Sequence, residues 1–134
     1  MSRNADRLRQ LFVDLERIDF DAVVQHCTED CVYEDVPYDA ATAVGRDAIR
    51  AKLAMGLETL ERLPTTIHEL LEQGDTIMIE RTEVWHHPTG ERASLRIAAV
   101  FKFRDGLISV WRDYWDAPTL LRQQPATWLP EIPR

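Results

Sequence analysis

Alternation of apolar and polar residues dominates the second half of this chain and limits the folds open to it. Four segments carry the alternation: Thr65 to Leu71, Thr76 to His86, Ala93 to Arg104 and Leu107 to Asp116. Side chains alternate between the two faces of a β-strand, so a period of two predicts strands. Turns at residues 87–90 and 104–106, each ending in glycine, separate the last three segments. We therefore expect an antiparallel meander.

The first half of the chain has the period of helices. An apolar stripe predicts an N-terminal amphipathic helix and consists of Leu8, Leu11, Phe12, Leu15 and Ile18. We then expect a short helix over Asp21 to Cys27, a strand over Cys31 to Asp35 and a loop from Asp35 to Gly45. A long helix is expected from Asp47 to about Leu63, where Pro64 ends it.

A last short helix should begin at Asp116, followed by an irregular, proline-containing tail from about residue 124. Helices followed by a meander predict one α+β domain over residues 1–134, with the helices on one face of a bent sheet.

The third strand shows which face of the sheet is buried. Its even-numbered residues include Ser94, Arg96, Lys102 and Arg104, so its odd-numbered residues should point inward. If both hairpins use a type I turn closed by a glycine bulge, Phe103 lies opposite Leu107, which places Arg81 opposite Ile97 and Ile97 opposite Asp113. The shared face of the second and fourth strands requires only that the two turns have the same parity. Three ionisable side chains, Arg81, Glu83 and Asp113, then share an otherwise apolar face.

Buried charges are costly unless they are paired, protonated or functional. A structural salt bridge from Arg81 to one acid is the alternative interpretation, but it leaves the second acid without a cation. A carboxyl in an apolar pocket has a raised pKa, and a protonated acid beside an ionised one suits general acid–base catalysis. We therefore expect Arg81, Glu83 and Asp113 to form a catalytic group.

Composition excludes several classes of protein. The net charge is −7 and no basic stripe is visible, so we expect no nucleic-acid partner. No apolar run could span a bilayer or act as a secretory signal, and we expect no membrane partner and a cytoplasmic location. Cys27 and Cys31 lack further ligands at zinc-site spacing, so no metal is expected and both thiols should be reduced. His86 and His87 should be exposed at a hairpin turn.

Two segments carry a resemblance to a known family. The segments WRDYWD (residues 111–116) and ERTEV (residues 80–84) resemble the limonene-1,2-epoxide hydrolase branch of the NTF2-like superfamily, which also contains SnoaL-like polyketide cyclases and ketosteroid isomerases. The resemblance extends over most of the chain. It implies a cone of curved antiparallel sheet with N-terminal helices packed over its concave face, a deep pocket and, usually, a homodimer.

The resemblance also implies residue roles. Asp113 would act as the base on a water molecule, Glu83 would protonate the epoxide oxygen, and Arg81 would bridge the two carboxyl groups. Tyr33 would hold the water together with position 35. The family has aspartate at position 83 and asparagine at position 35, whereas this chain has Glu83 and Asp35. A carboxylate only accepts hydrogen bonds, and Asp35 near Asp113 would share a proton with it.

The leading hypothesis is one-step hydrolysis of a hydrophobic epoxide to a diol without a cofactor. The expected apolar, substrate-binding wall consists of Trp85, Leu95, Ile97, Phe101, Trp111 and Trp115. One alternative is a ketosteroid-isomerase-like or cyclase-like enzyme that transfers a proton next to a carbonyl, and another is a non-catalytic binding protein. A homodimer would use apolar residues of the outer, even-numbered face: Met78, Val84, Val100, Ile108, Val110 and Tyr114.

Overall fold

The computed structural model describes residues 2–129. Its helices are α1 (Arg3–Glu16), α2 (Phe20–Val24), α3 (Arg46–Leu57) and α4 (Ala117–Leu121), with a 3₁₀ turn at Asp39–Ala41. Its strands are β1 (Cys27–Asp35), β2 (Ala43–Val44), β3 (Thr65–Gln73), β4 (Thr76–His86), β5 (Arg92–Arg104) and β6 (Leu107–Tyr114). None of the helices in this described part is long and apolar enough to cross a membrane.

The six strands form one curved, open sheet in the order β2-β1-β6-β5-β4-β3. The expected meander is present as β3 to β6, and all of its pairs are antiparallel. The sheet as a whole is mixed, because β1 lies parallel to β6. Alternation identifies a strand but not its partner, which is why the parallel pair was not expected. The short strand β2 lies within the expected loop from Asp35 to Gly45 and pairs with β1.

Helix α1 buries the expected apolar stripe, except for its last member. The Ser2 side chain caps the helix by accepting a hydrogen bond from the Ala5 amide at 2.9 Å. Buried residues recur every three or four positions and include Leu8, Leu11, Phe12 and Leu15. Ile18 lies beyond the helix with a φ of 58°, in the left-handed region, so its place in the helix was wrong, although it still packs against the core.

Helix α3 ends at Leu57, six residues before the expected end at Leu63. Leu60 and Leu63 are still buried, which explains why the apolar period continued. The backbone there bonds to β4 instead: the Glu61 amide donates to the His86 carbonyl at 2.8 Å, and the His86 amide donates to the Arg62 carbonyl at 3.0 Å. Burial without helical hydrogen bonds therefore produced the overlong prediction.

The first strand is longer than expected at the expense of the helix before it. Helix α2 ends at Val24, and β1 begins at Cys27 rather than Cys31. The Ile108 amide donates to the His26 carbonyl at 2.9 Å. This contact brings the segment alongside β6 four residues earlier than the alternation indicated.

The β4–β5 register is the expected one, with Arg81 opposite Ile97. The β5–β6 register is not. Arg104 rather than Phe103 pairs with Leu107, and Asp113 lies opposite Ala99 instead of Ile97.

The two hairpin turns differ in parity, because one has an odd number of loop residues and the other an even number. A β-bulge compensates for this difference. Phe103 pairs with Ile108 and Lys102 with Val110, so Ser109 is the extra residue on β6. Ile108 is therefore buried, against our assignment of it to the outer face, while Met78 and Tyr114 are exposed as assigned. Beyond the bulge the odd-numbered residues of β6 point inward again. The homodimer expected through the outer face stays a prediction.

Residues 125–129 form no regular helix or strand, and Trp128 packs against the domain. Its ring meets Trp85 edge-on at 5.6 Å, and its indole nitrogen donates to the Gly56 carbonyl at 2.7 Å. Residues 130–134 of the expected tail lie outside the described residues.

Candidate active site

A cavity of about 150 Å³ lies between the inner face of the sheet and helices α3 and α4. Most of its wall is apolar. Five charged side chains also line it: Asp35, Lys52, Arg81, Glu83 and Asp113. Four of these were expected there from the sequence or from the resemblance, and Lys52 was not.

Arg81 lies at the centre of the charged group and is only 1% exposed. Its Nε donates to Glu83 Oε2 at 3.0 Å, and its two terminal nitrogens donate to the two oxygens of Asp113 at 3.0 Å each. The Phe12 ring covers the guanidinium, with its centroid 4.8 Å from Cζ. The structure therefore brings together the three residues that alternation placed on one face.

Asp113 accepts two further hydrogen bonds. The Tyr33 hydroxyl donates to Oδ2 at 3.0 Å, and the Trp111 indole nitrogen donates to Oδ1 at 3.1 Å. The Tyr33 and Trp111 rings stack in parallel, with centroids 3.9 Å apart. Asp113 is the acceptor in every one of these contacts.

Glu83 is held differently. Its Oε2 accepts from Arg81, and its Oε1 accepts from the Trp85 indole nitrogen at 3.1 Å. Burial raises the pKa of Glu83 above its usual range, and the nearby Asp113 charge adds to this, whereas Arg81 opposes it. Arg81 makes two bonds to Asp113 and one to Glu83, so Glu83 is the carboxyl that more readily keeps a proton.

The other two ionisable groups of this cluster stay protonated. Burial and the Asp113 charge hold the pKa of Tyr33 well above its ordinary value, so its hydroxyl remains a donor. Burial alone would lower the pKa of Arg81, but Asp113 and Glu83 raise it overall. Arg81 is therefore a permanent cation in the cavity.

Asp35 lies beside this group at the end of β1. Its Oδ1 accepts from the Trp115 indole nitrogen at 2.9 Å, and its Oδ2 lies 2.8 Å from Lys52 Nζ. Burial and the Asp113 charge raise the pKa of Asp35 above its usual range, although Lys52 and the Trp115 indole act in the opposite direction. Lys52 follows the buried Ile49 by three residues on α3, and this helical spacing is the signal that could have identified it.

The balance of charged groups in the wall indicates which chemistry the cavity could support. Its wall carries three carboxyl groups and two cations, so the group is neutral when one carboxyl is protonated. Of the two carboxyl groups bonded to Arg81, Glu83 is the better holder of that proton, for the reasons given above, and the pKa of Asp35 is raised as well. A protonated carboxyl group and a second carboxyl group are then joined through Arg81 inside an apolar cavity, an arrangement that suits acid–base catalysis.

Four of the six residues expected in the apolar wall line the cavity. They are Trp85, Leu95, Ile97 and Trp115. Trp111 and Phe101 are fully buried and lie outside its lining, which corrects their expected place in the substrate wall. The Trp111 side chain instead packs against Tyr33 and donates to Asp113, which it supports from behind.

Other candidate residues lie elsewhere in the fold. His87 is 3% exposed, contrary to the expected exposure at the turn, because its ring bonds to the Gln124 side chain at 2.5 Å. Cys27 and Cys31 are buried free thiols. Among residues 2–129, no group of three or more His, Cys, Asp or Glu side chains is arranged to hold a metal ion.

Comparison with known proteins identifies the family to which this chain is similar. The SnoaL-like domain family matches residues 8–111. The epoxide hydrolase EphG of Mycobacterium tuberculosis is 31% identical over 103 residues, which are 76% of this chain and 66% of that protein, just under two thirds of its length.

Solved structures share the fold. An LEH-like epoxide hydrolase of M. tuberculosis has a TM-score of 0.76 and 26% identity, with 96% of each chain covered. The epoxide hydrolase/cyclase-like enzyme SalBIII, from polyether salinomycin pyran-ring formation, has a TM-score of 0.75 over 87% of this chain and 92% of that one. Its identity is 20%, so that likeness extends to the fold alone.

The fold of these proteins and the family match agree with the helices and the curved sheet described above, and they confirm the expected NTF2-like α+β architecture. The chain belongs to the SnoaL-like domain family of the NTF2-like superfamily.

Proposed function

We propose that this chain is a cofactor-independent hydrolase that opens a hydrophobic epoxide to a diol by one-step acid–base attack of water. The observation that supports it is the Arg81 bridge, in which one buried guanidinium bonds to both Asp113 and Glu83. The names of the M. tuberculosis relatives point the same way.

In the proposed reaction, Asp113 takes a proton from a water molecule while the water oxygen bonds to an epoxide carbon. The ring C–O bond breaks, and its electron pair stays on the ring oxygen, which takes the proton of Glu83. The diol then leaves Asp113 protonated and Glu83 ionised. One proton transfer through solvent water restores the starting state, so water and epoxide are the only reactants.

The neighbours of Asp113 supply the position of the water. The Tyr33 hydroxyl uses its hydrogen on Asp113, so its oxygen can accept a hydrogen bond from the water. Asp35 lines the same cavity as a further acceptor. Arg81 holds the acid and the base in one geometry throughout, and fixed geometry of this kind is a large part of enzymatic rate enhancement.

The cavity suggests the size of the substrate. Apolar side chains such as Leu95, Ile97 and Trp85 form most of a space of about 150 Å³. An engineered apolar cavity of about that volume in another protein binds benzene. We therefore propose an epoxide on the order of a six-membered carbocycle, with few polar groups away from the epoxide oxygen.

Turnover in heavy-oxygen water tests the proposal. A panel of small apolar epoxides is incubated with the protein in ¹⁸O-water, and the products are analysed by mass spectrometry. We expect a diol that carries one ¹⁸O atom, formed by the wild type and not by the D113N variant. If the wild type leaves every epoxide of the panel intact, epoxide hydrolysis is excluded as its function for that class.

A proton-transfer enzyme acting next to a carbonyl is the second candidate. It is favoured by the contact between the Tyr33 hydroxyl and Asp113, because a protonated donor beside a base could stabilise an enolate while the base moves the proton. In D₂O such an enzyme would place solvent deuterium in its product, and in ¹⁸O-water it would add no ¹⁸O. A third outcome, tight binding of an apolar ligand without turnover and equally by D113N, would identify a binding protein.

A further inference from the structure

Lys52 is the one lysine of the cavity, and its ammonium is built into the wall. Nζ lies 2.8 Å from Asp35 Oδ2, donates to the Ala41 carbonyl at 2.6 Å and stands 4.6 Å from the centroid of the Tyr33 ring. The Lys52 side chain is 11% exposed and that of Asp35 is 18% exposed. An ion pair with this little exposure is screened far less than a surface pair.

Asp35 needs this cation because of its neighbour on the sheet. Asp35 and Asp113 are direct partners on the parallel strands β1 and β6, so both side chains leave the same face of the sheet side by side. Adjacent strands are about 4.8 Å apart. Two carboxylates at that spacing repel each other, and such pairs commonly share one proton. Here each carboxylate has its own cation: Arg81 for Asp113 and Lys52 for Asp35.

We propose that Lys52 is a positioning residue that keeps Asp35 ionised beside Asp113, so that the two carboxyl groups do not share a proton and Asp113 stays free to accept one. The proposal extends the hydrolase function proposed above, in which Asp113 is the base. According to the proposal, turnover depends on Lys52 because Asp35 is charged. Loss of Lys52 should therefore lower turnover only while residue 35 is a carboxylate.

A purely structural role for Lys52 makes a different prediction. Its bond to the Ala41 carbonyl ties α3 to the 3₁₀ turn at Asp39–Ala41. If that tether were its main role, removing Lys52 would cost the same whether residue 35 is an acid or an amide. The two roles therefore separate in a double-mutant cycle.

The pH dependence supplies a second distinction. The titratable groups that face Asp35 are Tyr33 on its own strand, Lys52 on α3 and Asp113 on β6, while the Trp115 indole donates to it. Loss of an opposite charge at this distance raises the pKa of a carboxyl group. Without Lys52 the pKa of Asp35 therefore rises. The pair takes up a proton at higher pH, and activity is lost earlier as the pH falls.

The test compares wild type with K52M, D35N, K52M/D35N and K52R. The chain has only one other lysine, Lys102, which is exposed on β5, so K102M is the matched control. Two quantities are measured for each variant: epoxide turnover against pH, and the titration of ¹³C-labelled aspartate carboxyl groups by NMR. Thermal melting shows that each variant is folded.

We expect K52M to lower turnover about tenfold or more in the wild-type background and less than about threefold in the D35N background, with the acid limb displaced upward by about one pH unit or more. K52R should restore part of the loss, and K102M should behave as wild type. Equal costs of K52M in both backgrounds, with an unchanged Asp35 titration, would overturn the proposal. If the wild type turns over no epoxide, the hydrolase proposal fails alone, because the carboxyl titration still decides the role of Lys52.

Discussion

The terminal nitrogens of Arg81 meet the two oxygens of Asp113 as a fork, each at 3.0 Å, from strands that do not pair with each other. The arginine reaches across β5, which lies between β4 and β6. A planar guanidinium can make this two-bond contact and still offer Nε to Glu83, whereas a lysine ammonium cannot keep the same geometry. One side chain therefore fixes the separation and orientation of both carboxyl groups.

Removal of Arg81 should destabilise the fold as well as abolish activity. R81M leaves Glu83 and Asp113 buried beside each other without a cation, and breaking a buried pair in this way costs about 3–5 kcal/mol. Denaturant unfolding at neutral pH measures the loss. The control is R96M, because Arg96 is exposed and only 3.8 Å from Glu80, a surface pair worth less than about 1 kcal/mol. Similar losses for the two variants would contradict the central place of Arg81.

D113N should separate the shape of the site from its chemistry. The amide keeps the size of the carboxyl group but cannot take a proton from water, and general-base contributions are about 10²–10⁴-fold in rate. We expect a loss of that order in kcat with little change in KM. D105N is the control, because Asp105 is exposed and its φ of 53° is one that asparagine tolerates. Turnover by D113N within a few-fold of wild type would remove Asp113 from the mechanism.

Glu83 should act in its protonated form, which fixes the direction of one limb of the pH profile. Because burial raises its pKa, activity is expected to be highest below that pKa and to fall as the pH rises through it. E83Q should lose both most of the activity and this alkaline limb. E80Q, an exposed neighbour on the other face of β4, is the matched control. An alkaline limb that persists in E83Q at residual activity would assign it to another group.

The same pKa shift predicts how stability depends on pH. A carboxyl whose pKa is raised by folding contributes most to stability when it is protonated. Its contribution is full below the unfolded value of 4.5 and is lost as the pH rises through the higher folded value. The free energy of unfolding of E83Q should therefore fall less than that of wild type between these two pH values. Chemical denaturation across that range measures the difference, and a steeper fall for E83Q would reverse the assigned direction.

Alternation alone located the catalytic candidates, because inward residues on a sheet occur at fixed spacing. It placed Arg81, Glu83 and Asp113 on one face, and they are in contact. The detailed register was wrong, since the bulge at Ser109 offsets a turn of different parity, and a bulge leaves no sign in the hydrophobic pattern. The face of the sheet predicted for Asp113 was thus correct, although the residue predicted opposite it on β5 was not.

Features that depend on contacts between distant elements were beyond the sequence. Lys52 faces the cavity because α3 packs over β1, and the helix stripe indicates its side but not what lies opposite. Trp111 was expected in the substrate wall, since a large aromatic residue on the inner face suits either a wall or a core. Its full burial and the Tyr33 ring stacked in front of it show that it belongs to the core.

Leu121 offers a way to change the size of the accepted substrate. It is the last residue of α4, is 8% exposed and lines the cavity opposite the sheet. L121A removes three carbon atoms from the wall and leaves the charged group untouched, so the cavity should admit larger epoxides. We expect kcat/KM to shift in favour of bicyclic over monocyclic epoxides by about tenfold. One methylene group more or less in an apolar pocket changes the discrimination between two substrates by about 1–3 kcal/mol.

The substitution also has a cost in stability, about 2–5 kcal/mol for a buried leucine, and the added substrate can offset part of it. L71A is the control, because Leu71 is 71% exposed on β3 and should change neither stability nor selectivity. Competition between a monocyclic and a bicyclic epoxide in one reaction gives the ratio of kcat/KM values directly. An unchanged ratio in folded L121A would show that substrate does not occupy the space beneath α4, and the proposed binding position would then be wrong.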